Sequence, residues 1–344
     1  MRIAIVNDMK MAVEALRRTI TSFPGYEVAW IAENGMDAIK SCAADVPDLI
    51  LMDIIMPHMD GVEATRQIMA NSPCAILVVT ASVDQNAPLV FQAMGAGALD
   101  VVSTPILGNE EKGPGREELL KKIKTISRLL EANRRVHPFK GKLSTKARIS
   151  ENWLIAIGAS TGGPAAIANI ISKFPANLAA SVVIIQHVDQ SFAAGLAQWL
   201  GQQSVLPVKL AEEGDEIEQG RILVAGTNDH LVLKEDWTLG YKKEPVATPY
   251  RPSVDIFFES MVHNWPGHSI AVLLTGMGRD GAEGLLRLRN DGVFTLAQNA
   301  ETCAVYGMPK AAAELNAAVG ILPADDIAKV IMSHMGSIKK RNPS

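Results

Sequence analysis

Cysteine, aromatic side chains and long apolar runs are all scarce in this 344-residue chain, and each scarcity closes off a class of protein. The three cysteines, Cys42, Cys74 and Cys303, form an odd, scattered set with no metal-ligand spacing. That excludes a disulfide framework or a structural zinc site, and the apolar settings of Cys42 and Cys74 predict buried thiols in a reducing compartment. No apolar stretch approaches the roughly 20 residues of a membrane span. The start, Met1 to Asp8, turns polar after a strand-length run, which is too short for a signal peptide. Net charge is only −4, so nothing global draws the chain to nucleic acid or to an anionic membrane. A cytoplasmic protein is expected, with no nucleic-acid partner and no membrane insertion. What is plentiful is apolar residues, 48% of the chain, enough at this length for two separate cores.

A boundary between those cores shows as a charge shift. Between Lys121 and Arg148 there are ten basic residues and one acid, Glu131, so this stretch carries +9 and the remainder of the chain −13. Leu119, Leu120, Ile123, Ile126 and Leu130 keep helical spacing and predict a helix leaving the first domain. From His137 to Ser150 the periodicity stops and Pro138 and Gly141 intervene, which reads as a linker. A solvated linker is the favoured reading; attraction to an acidic partner is the other.

Before that boundary, short apolar runs (Ile3–Val6, Val28–Ala32, Leu49–Met52, Ala75–Val79, Leu99–Val102) alternate with stretches of helical spacing such as Met11–Ile20 and Val62–Met69. Five strands alternating with helices predict a parallel, doubly wound sheet, whose chemistry collects at the carboxyl ends of its strands. Asn7 and Asp8 lie there after the first run, Asp53 after the third and Thr80 after the fourth. Oxygen-bearing groups on adjacent strand ends suit a hard divalent cation such as magnesium, which also offsets the mutual repulsion of the carboxylates. Asp53, placed centrally, can accept a phosphoryl group, and Thr80 can hydrogen-bond it.

After the boundary, Leu154–Ile157, Val182–Gln186, Arg221–Val224, Ile270–Leu274 and Phe294–Ala297 read as strands, with helical stretches Phe192–Leu200, Val254–Val262 and Gly284–Leu288 between some of them. This is again α/β with a mostly parallel sheet. Gly158-Ala159-Ser160-Thr161-Gly162-Gly163 joins the first of these strands to a helical stretch, with Pro164 suited to the first helical position. A serine on such a turn is a nucleophile beside free helix amides, or an N-cap, or part of a phosphate-cradling loop. The turn alone leaves these open. A nucleophile needs a base and the base an orienting acid. His187 ends the Ser181–Gln186 run, and Asp280 follows the Ser269–Leu274 run within Thr275-Gly276-Met277-Gly278-Arg279-Asp280-Gly281. Three strands thus deliver Ser160, His187 and Asp280 to one sheet edge. His230, ahead of Leu231–Leu233, is a competitor for that cleft, whereas His263, His268 and His334 are expected at surface helix ends or loops. The order serine, histidine, aspartate differs from that of α/β-hydrolases, so the glycine pattern does not imply that fold.

The whole chain resembles a known family: chemotaxis-type protein-glutamate methylesterases of the CheB kind. The first part, with Asn7-Asp8, Asp53-Ile54-Ile55-Met56-Pro57-His58-Met59-Asp60-Gly61 and Thr80-Ala81, resembles the receiver domain of two-component response regulators. The second carries Ile157 to Gly163, Gln186-His187, Tyr250-Arg251-Pro252-Ser253-Val254-Asp255, Thr275 to Gly281 and Cys303-Ala304-Val305-Tyr306-Gly307-Met308-Pro309. The resemblance implies a receiver at 1–106, a helix and basic linker at 107–149 and a catalytic domain at 150–344. It implies phosphorylation of Asp53 by a CheA-type histidine kinase, magnesium held by Asn7, Asp8 and Asp53, and no cofactor in the second domain. Ser160 is then the nucleophile, His187 the base and Asp280 its partner, with backbone amides near Thr161 and Met277 as oxyanion donors. The implied substrates are glutamate γ-methyl esters on methyl-accepting chemoreceptors, with glutamine deamidation as a second activity and an unphosphorylated receiver that covers the cleft. Three positions depart from the family pattern. Asn7 replaces the first of two acids, though its carbonyl can still ligate. Thr104 stands where a lysine pairs with the phosphoryl group, and Arg279 stands where asparagine is often found. Asn7 and Thr104 together resemble the variant of surface-sensing (Wsp-type) systems. A receiver fused to an inert scaffold that regulates by docking is the non-enzyme alternative.

Overall fold

The computed structural model describes residues 1–81, 83–105, 114–132, 150–248 and 250–341; of the linker read from His137 to Ser150, residues 137–149 lie outside the described residues and Ser150 opens the first strand of the second unit. The chain divides into two units, Met1–Arg135 and Val136–Ser344.

In the first unit, β1 (Arg2–Val6), β2 (Glu27–Ala32), β3 (Leu49–Met52), β4 (Ala75–Thr80) and β5 (Asp100–Ser103) form a parallel sheet in the order β2-β1-β3-β4-β5. The helices are α1 (Lys10–Thr21), α2 (Gly35–Ala44), α3 (Gly61–Asn71), α4 (Val83–Gly95) and α5 (Pro114–Ala132). β3 reads Leu-Ile-Leu-Met and is buried at every position, as expected of a central strand covered on both faces. On one face, Ile3, Ile5, Leu49, Leu51, Leu77 and Val79 pack against Leu16 and Ile20 of α1 and Leu119, Ile123 and Ile126 of α5. The strand order reverses at β1, so the crevice opens beyond the ends of β1 and β3, where Asp8 and Asp53 sit.

The second unit opens with β6 (Ser150–Ala159), α6 (Gly163–Ile171), β7 (Ala180–Gln186) and α7 (Gln190–Gln203). There follow β8 (Val208–Leu210), β9 (Ile222–Val224), a hairpin of β10 (His230–Leu233) and β11 (Leu239–Lys242), α8 (Val254–Asn264), β12 (Gly267–Leu273) and α9 (Ala282–Asn290). β13 (Phe294–Gln298), α10 (Met308–Glu314), β14 (Gly320–Leu322) and α11 (Ala324–Arg341) complete it. Seven of its strands make a wholly parallel sheet in the order β14-β13-β12-β6-β7-β9-β8. Alternate residues of the two central strands, Leu154, Ala156, Val183 and Ile185, join Val254, Phe257, Phe258 and Leu285 of α8 and α9 in one core. Since strand side chains alternate between faces, Ile155, Ile157, Val182 and Ile184 face the other layer. β6 lies at the centre with β7 on one side and β12 on the other, so the crevice of this sheet lies beyond those three strands.

Two details differ from expectation. α6 begins at Gly163, so Pro164 is its second residue and Gly162, at φ +74°, is the N-cap. His268 and His334 are not loop residues: His268 stacks on Trp153 and His334 on Phe294, with ring centroids 4.8 and 3.9 Å apart. Trp153 of β6 and Phe294 of β13 supply the flat surfaces that take in the two imidazoles.

Candidate active site

The three central strands of the second unit each deliver one of the expected site residues beyond their carboxyl ends. Ser160 follows β6, His187 follows β7, and Asp280 sits in the turn between β12 and α9. Ser160 and Asp280 are buried, 8% and 7% exposed, which puts their chemistry out of bulk water. Two glycine turns make this closeness possible. A Cβ on Gly276 would lie 2.7 Å from the Cβ of Ser160 and 2.4 Å from the sulfur of Met308, so only a bare backbone fits between them. A Cβ on Gly162 would meet that of Ala304 at 2.4 Å. Side chains then lock the turns together. Gln186 Nε2 donates to the Ser160 carbonyl at 2.8 Å, and Thr275 Oγ1 donates to the Thr161 carbonyl at 2.9 Å.

His187 and Asp280 form a hydrogen bond of 2.7 Å between Nε2 and Oδ2. Burial acts to raise the Asp280 carboxyl, but the bond and charge of His187 and the donors Ser253 and Val254 outweigh it, leaving the group below its ordinary range. An ionised carboxylate only accepts, so Nε2 carries the proton and Nδ1 holds the lone pair. That Nδ1 is buried and has no partner among the described residues. The ring cannot swing freely, because Tyr250 stacks on it with centroids 4.6 Å apart and planes 6° from parallel. Ser160 is the neighbour across the β6–β7 ladder, where the His187 N–H donates to the Ala159 carbonyl at 3.0 Å. Ser160 and His187 make no side-chain hydrogen bond here; such contacts in substrate-free sites commonly close on binding. The Thr161 and Met277 N–H groups have no acceptor among the described residues and flank the same turn pair.

Sequence reasoning missed the residues that hold Asp280. Ser253 Oγ donates to Oδ1 at 2.7 Å and the Val254 N–H to Oδ2 at 2.7 Å. Ser253 caps α8, and a serine just ahead of an apolar helical stretch is a readable N-cap signal. His230 does not face the cleft: it is fully buried beneath Ser253, accepting from its N–H at 3.1 Å. Arg279 points to solvent and pairs with Glu314 at 3.2 Å.

In the first unit, Asn7, Asp8 and Asp53 gather at the β1 and β3 ends. Burial pushes Asp53 up to about 6, amides of Ile54 and Ile55 pull it down, and the charge of Asp8 adds to the rise. Asn7 is held by two hydrogen bonds. Its Oδ1 accepts from the Met9 N–H at 2.8 Å while its Nδ2 donates to Asp53 Oδ2 at 2.9 Å. Turning the amide over would set N–H against N–H and oxygen against oxygen, so the network fixes it. Exposed Asp8 and half-buried Asp53, whose carboxyl feels the Asp8 charge, are two carboxylates that suit magnesium with waters completing its shell. Thr80 is buried and accepts from Asn86 at 3.1 Å, and the Thr104 N–H donates to the Thr80 carbonyl at 2.9 Å.

A doubly wound unit with Asp8 and Asp53 at its switch point, joined to an α/β unit with serine, histidine and aspartate at another, defines a response regulator with a hydrolase-type output unit. Comparison with known proteins makes this specific. Residues 3–111 match the response regulator receiver domain, and residues 155–331 match the CheB methylesterase family. The chain belongs to the CheB methylesterase family. It is 51% identical over 331 residues to a protein-glutamate methylesterase/protein-glutamine glutaminase of Pseudomonas aeruginosa, covering 95% of this chain and 98% of that one. A Burkholderia lata protein with the same description is 54% identical over 330 residues, covering 95% and 97%. The crystal structure of the Thermotoga maritima CheB methylesterase catalytic domain superposes with a TM-score of 0.52 at 35% identity, covering 54% of this chain and all of that one.

Proposed function

We propose that this chain is a cytoplasmic, phosphorylation-regulated esterase that removes methyl groups from glutamate γ-methyl esters of methyl-accepting chemoreceptors. The observation that carries this reading is the buried, unpartnered Nδ1 of His187, fixed by Asp280 and placed one strand from Ser160. A protein that only docks has no use for such a lone pair. Ser160 Oγ attacks the ester carbonyl while Nδ1 takes its proton, and the oxyanion faces the Thr161 and Met277 amides. His187 then protonates the departing methanol, and water repeats the sequence to free the receptor glutamate. With a glutamine side chain the same steps release ammonia, which accounts for glutaminase activity.

Regulation in this reading begins with transfer of a phosphoryl group from a CheA-type histidine kinase to Asp53. Asp8 and Asp53 would hold magnesium, which supplies charge neutralisation for the incoming phosphoryl oxygens. Asn7 steadies Asp53 through its amide, and Thr80 and Thr104 are the switch residues that line the neighbouring strand ends.

Methanol release from methylated receptor membranes tests the esterase. Ser160→Ala should leave only the residual catalysis of binding and oxyanion donors, a loss on the order of a thousandfold or more. Near-normal release by that variant would overturn the assignment.

A further inference from the structure

We propose that Ser253 is a positioning residue for the Asp280–His187 pair, and that buried His230 fixes Ser253 in that role. This rests on the esterase reading above and concerns residues to which that reading gives no part.

Asp280 accepts from four donors. Ser253 Oγ–H and the Asp255 N–H reach Oδ1 at 2.7 and 3.3 Å, and the Val254 N–H and His187 Nε2–H reach Oδ2 at 2.7 Å each. Three of the four come from consecutive residues at the start of α8, so the helix end sets where the carboxylate lies. Of these three, only the Ser253 donor is a side chain that substitution can delete. Its proton has one place to go, since an ionised carboxylate cannot donate back. Its oxygen also accepts from the Ile256 N–H at 3.4 Å, so the hydroxyl is engaged on both sides.

What fixes Ser253 is visible one layer down. The Ser253 N–H donates to His230 Nδ1 at 3.1 Å, and His230 Nε2 lies 3.3 Å from the Pro245 carbonyl. A carbonyl only accepts, so Nε2 carries the proton and Nδ1 is free to accept. Burial pushes His230 below its ordinary range and keeps it in this neutral form. A protonated ring would set Nδ1–H against the Ser253 N–H.

The other ionisable groups nearby make the donor count consequential. Asp255, in the first turn of α8, is pushed up to about 6 by burial, with the charge of Asp280 adding to the rise. Its Oδ1 accepts from the Gly284 N–H at 2.7 Å. Tyr250 offers a phenol, Arg251 is paired with Asp229, and Arg279 with Glu314. Two neighbouring carboxyls therefore compete for one proton, and Asp280 keeps its charge because its lone pairs are the better satisfied. Ser253 tips that competition.

The test uses the full chain, methylated receptor membranes and a methanol-release assay across pH, with Ser253→Ala, Ser253→Gly and Ser253→Thr. Glycine is a tolerated N-cap, so Ser253→Gly removes the donor while sparing the helix start. Both Ser253→Ala and Ser253→Gly should lose about ten- to a hundredfold in kcat, as for a charge-assisted hydrogen bond, with KM within about twofold. The acid limb of the kcat/KM profile should move to higher pH, because Asp280 then takes up a proton more readily. Ser253→Thr keeps the hydroxyl and should recover most of both. A wild-type kcat and unmoved acid limb in Ser253→Gly would overturn the proposal, and so would failure of Ser253→Thr to recover. Ser160→Ala, run alongside, separates the two readings. If it releases methanol at a near-normal rate, the Ser160 mechanism fails; if it is reduced to residual release while Ser253→Gly runs at full rate, only the positioning role falls.

Discussion

Replacing Asp280 with asparagine tests the charge and the geometry of the pair at once. The amide offers one oxygen and one NH2 where four donors now converge on two oxygens. With its oxygen facing Val254 and His187, the NH2 faces Ser253, whose hydroxyl can rotate to accept; only the Asp255 N–H is left opposed. The fold should therefore survive, with a melting temperature within a few degrees of wild type. Catalysis should not. A carboxylate and the imidazolium formed during turnover, about 4 Å apart at an effective dielectric near 20, attract by about 4 kcal/mol. At about 1.4 kcal/mol per decade that is roughly a thousandfold in rate. An amide turned the other way would donate to Nε2 and move the proton to Nδ1, removing the base altogether, which brings the expected loss to about 10³–10⁴. Single-turnover methanol release with saturating methylated receptor reads this directly. If Asp280→Asn stays within tenfold of wild type, the carboxylate does not stabilise an imidazolium and the reasoning from the 2.7 Å bond fails.

Asp53 sits at about 6 when folded against an ordinary 3.8, so the folded state holds its proton more tightly than the unfolded one. Its contribution to stability therefore falls as pH rises from about 4 to above 6, a cost of up to about 3 kcal/mol at pH 8. In metal-free buffer, Asp53→Asn should raise the receiver-unit melting transition at pH 8 and leave it nearly unchanged at pH 4; an equal shift at both values would refute the cause. Thr104 can offer only a neutral hydroxyl to a phosphoryl group, where a lysine would give a charge-assisted bond of about 1.5–3 kcal/mol. Esterase stimulation by a small phosphodonor should be weak in wild type, stronger in Thr104→Lys and absent in Asp53→Asn; strong stimulation already in wild type would count against this. Tyr250→Ala removes the ring stacked on His187 and should lower kcat about fivefold, while Tyr250→Phe keeps the stack and stays near wild type. Equal losses in the two would assign the effect to the phenol hydroxyl instead.

The shared sheet edge of Ser160, His187 and Asp280 was legible because each follows an apolar run. Ser160, His187 and Asp280 follow β6, β7 and β12, and strand ends are where a parallel sheet exposes polar groups. The supporting residues were not legible in that way. Ser253 and Tyr250 belong to a segment between strands, whose approach to Asp280 and His187 depends on how α8 packs across β6 and β7. His230 opens β10, whereas His187 follows a strand, but its side chain turns inward beneath α8, and a two-residue period cannot say which face is the cleft. His268 and His334 were misread for a related reason: an imidazole stacked on Trp153 or on Phe294 behaves as a flat apolar ring. The short strands β8 and β14 have no run long enough to stand out. The direction of the Asn7 amide follows from the Met9 N–H, a contact that only the folded turn creates.

The central position of β6 has a consequence for how the enzyme comes into being. Ser160, His187 and Asp280 span some 120 positions of chain, yet they come to one sheet edge only where β12, β6 and β7 align residue for residue. A slip of one residue along β7 would carry His187 to the opposite face of the sheet. If these three do the chemistry, as proposed, the polypeptide has no partial form of it: until the last non-local strand pairing closes, a slow step by its nature, there is a serine, a histidine and an aspartate but no hydrolase. Catalytic competence is a built-in proofreader of sheet register, and a misthreaded copy, however well collapsed, is silent toward the receptor.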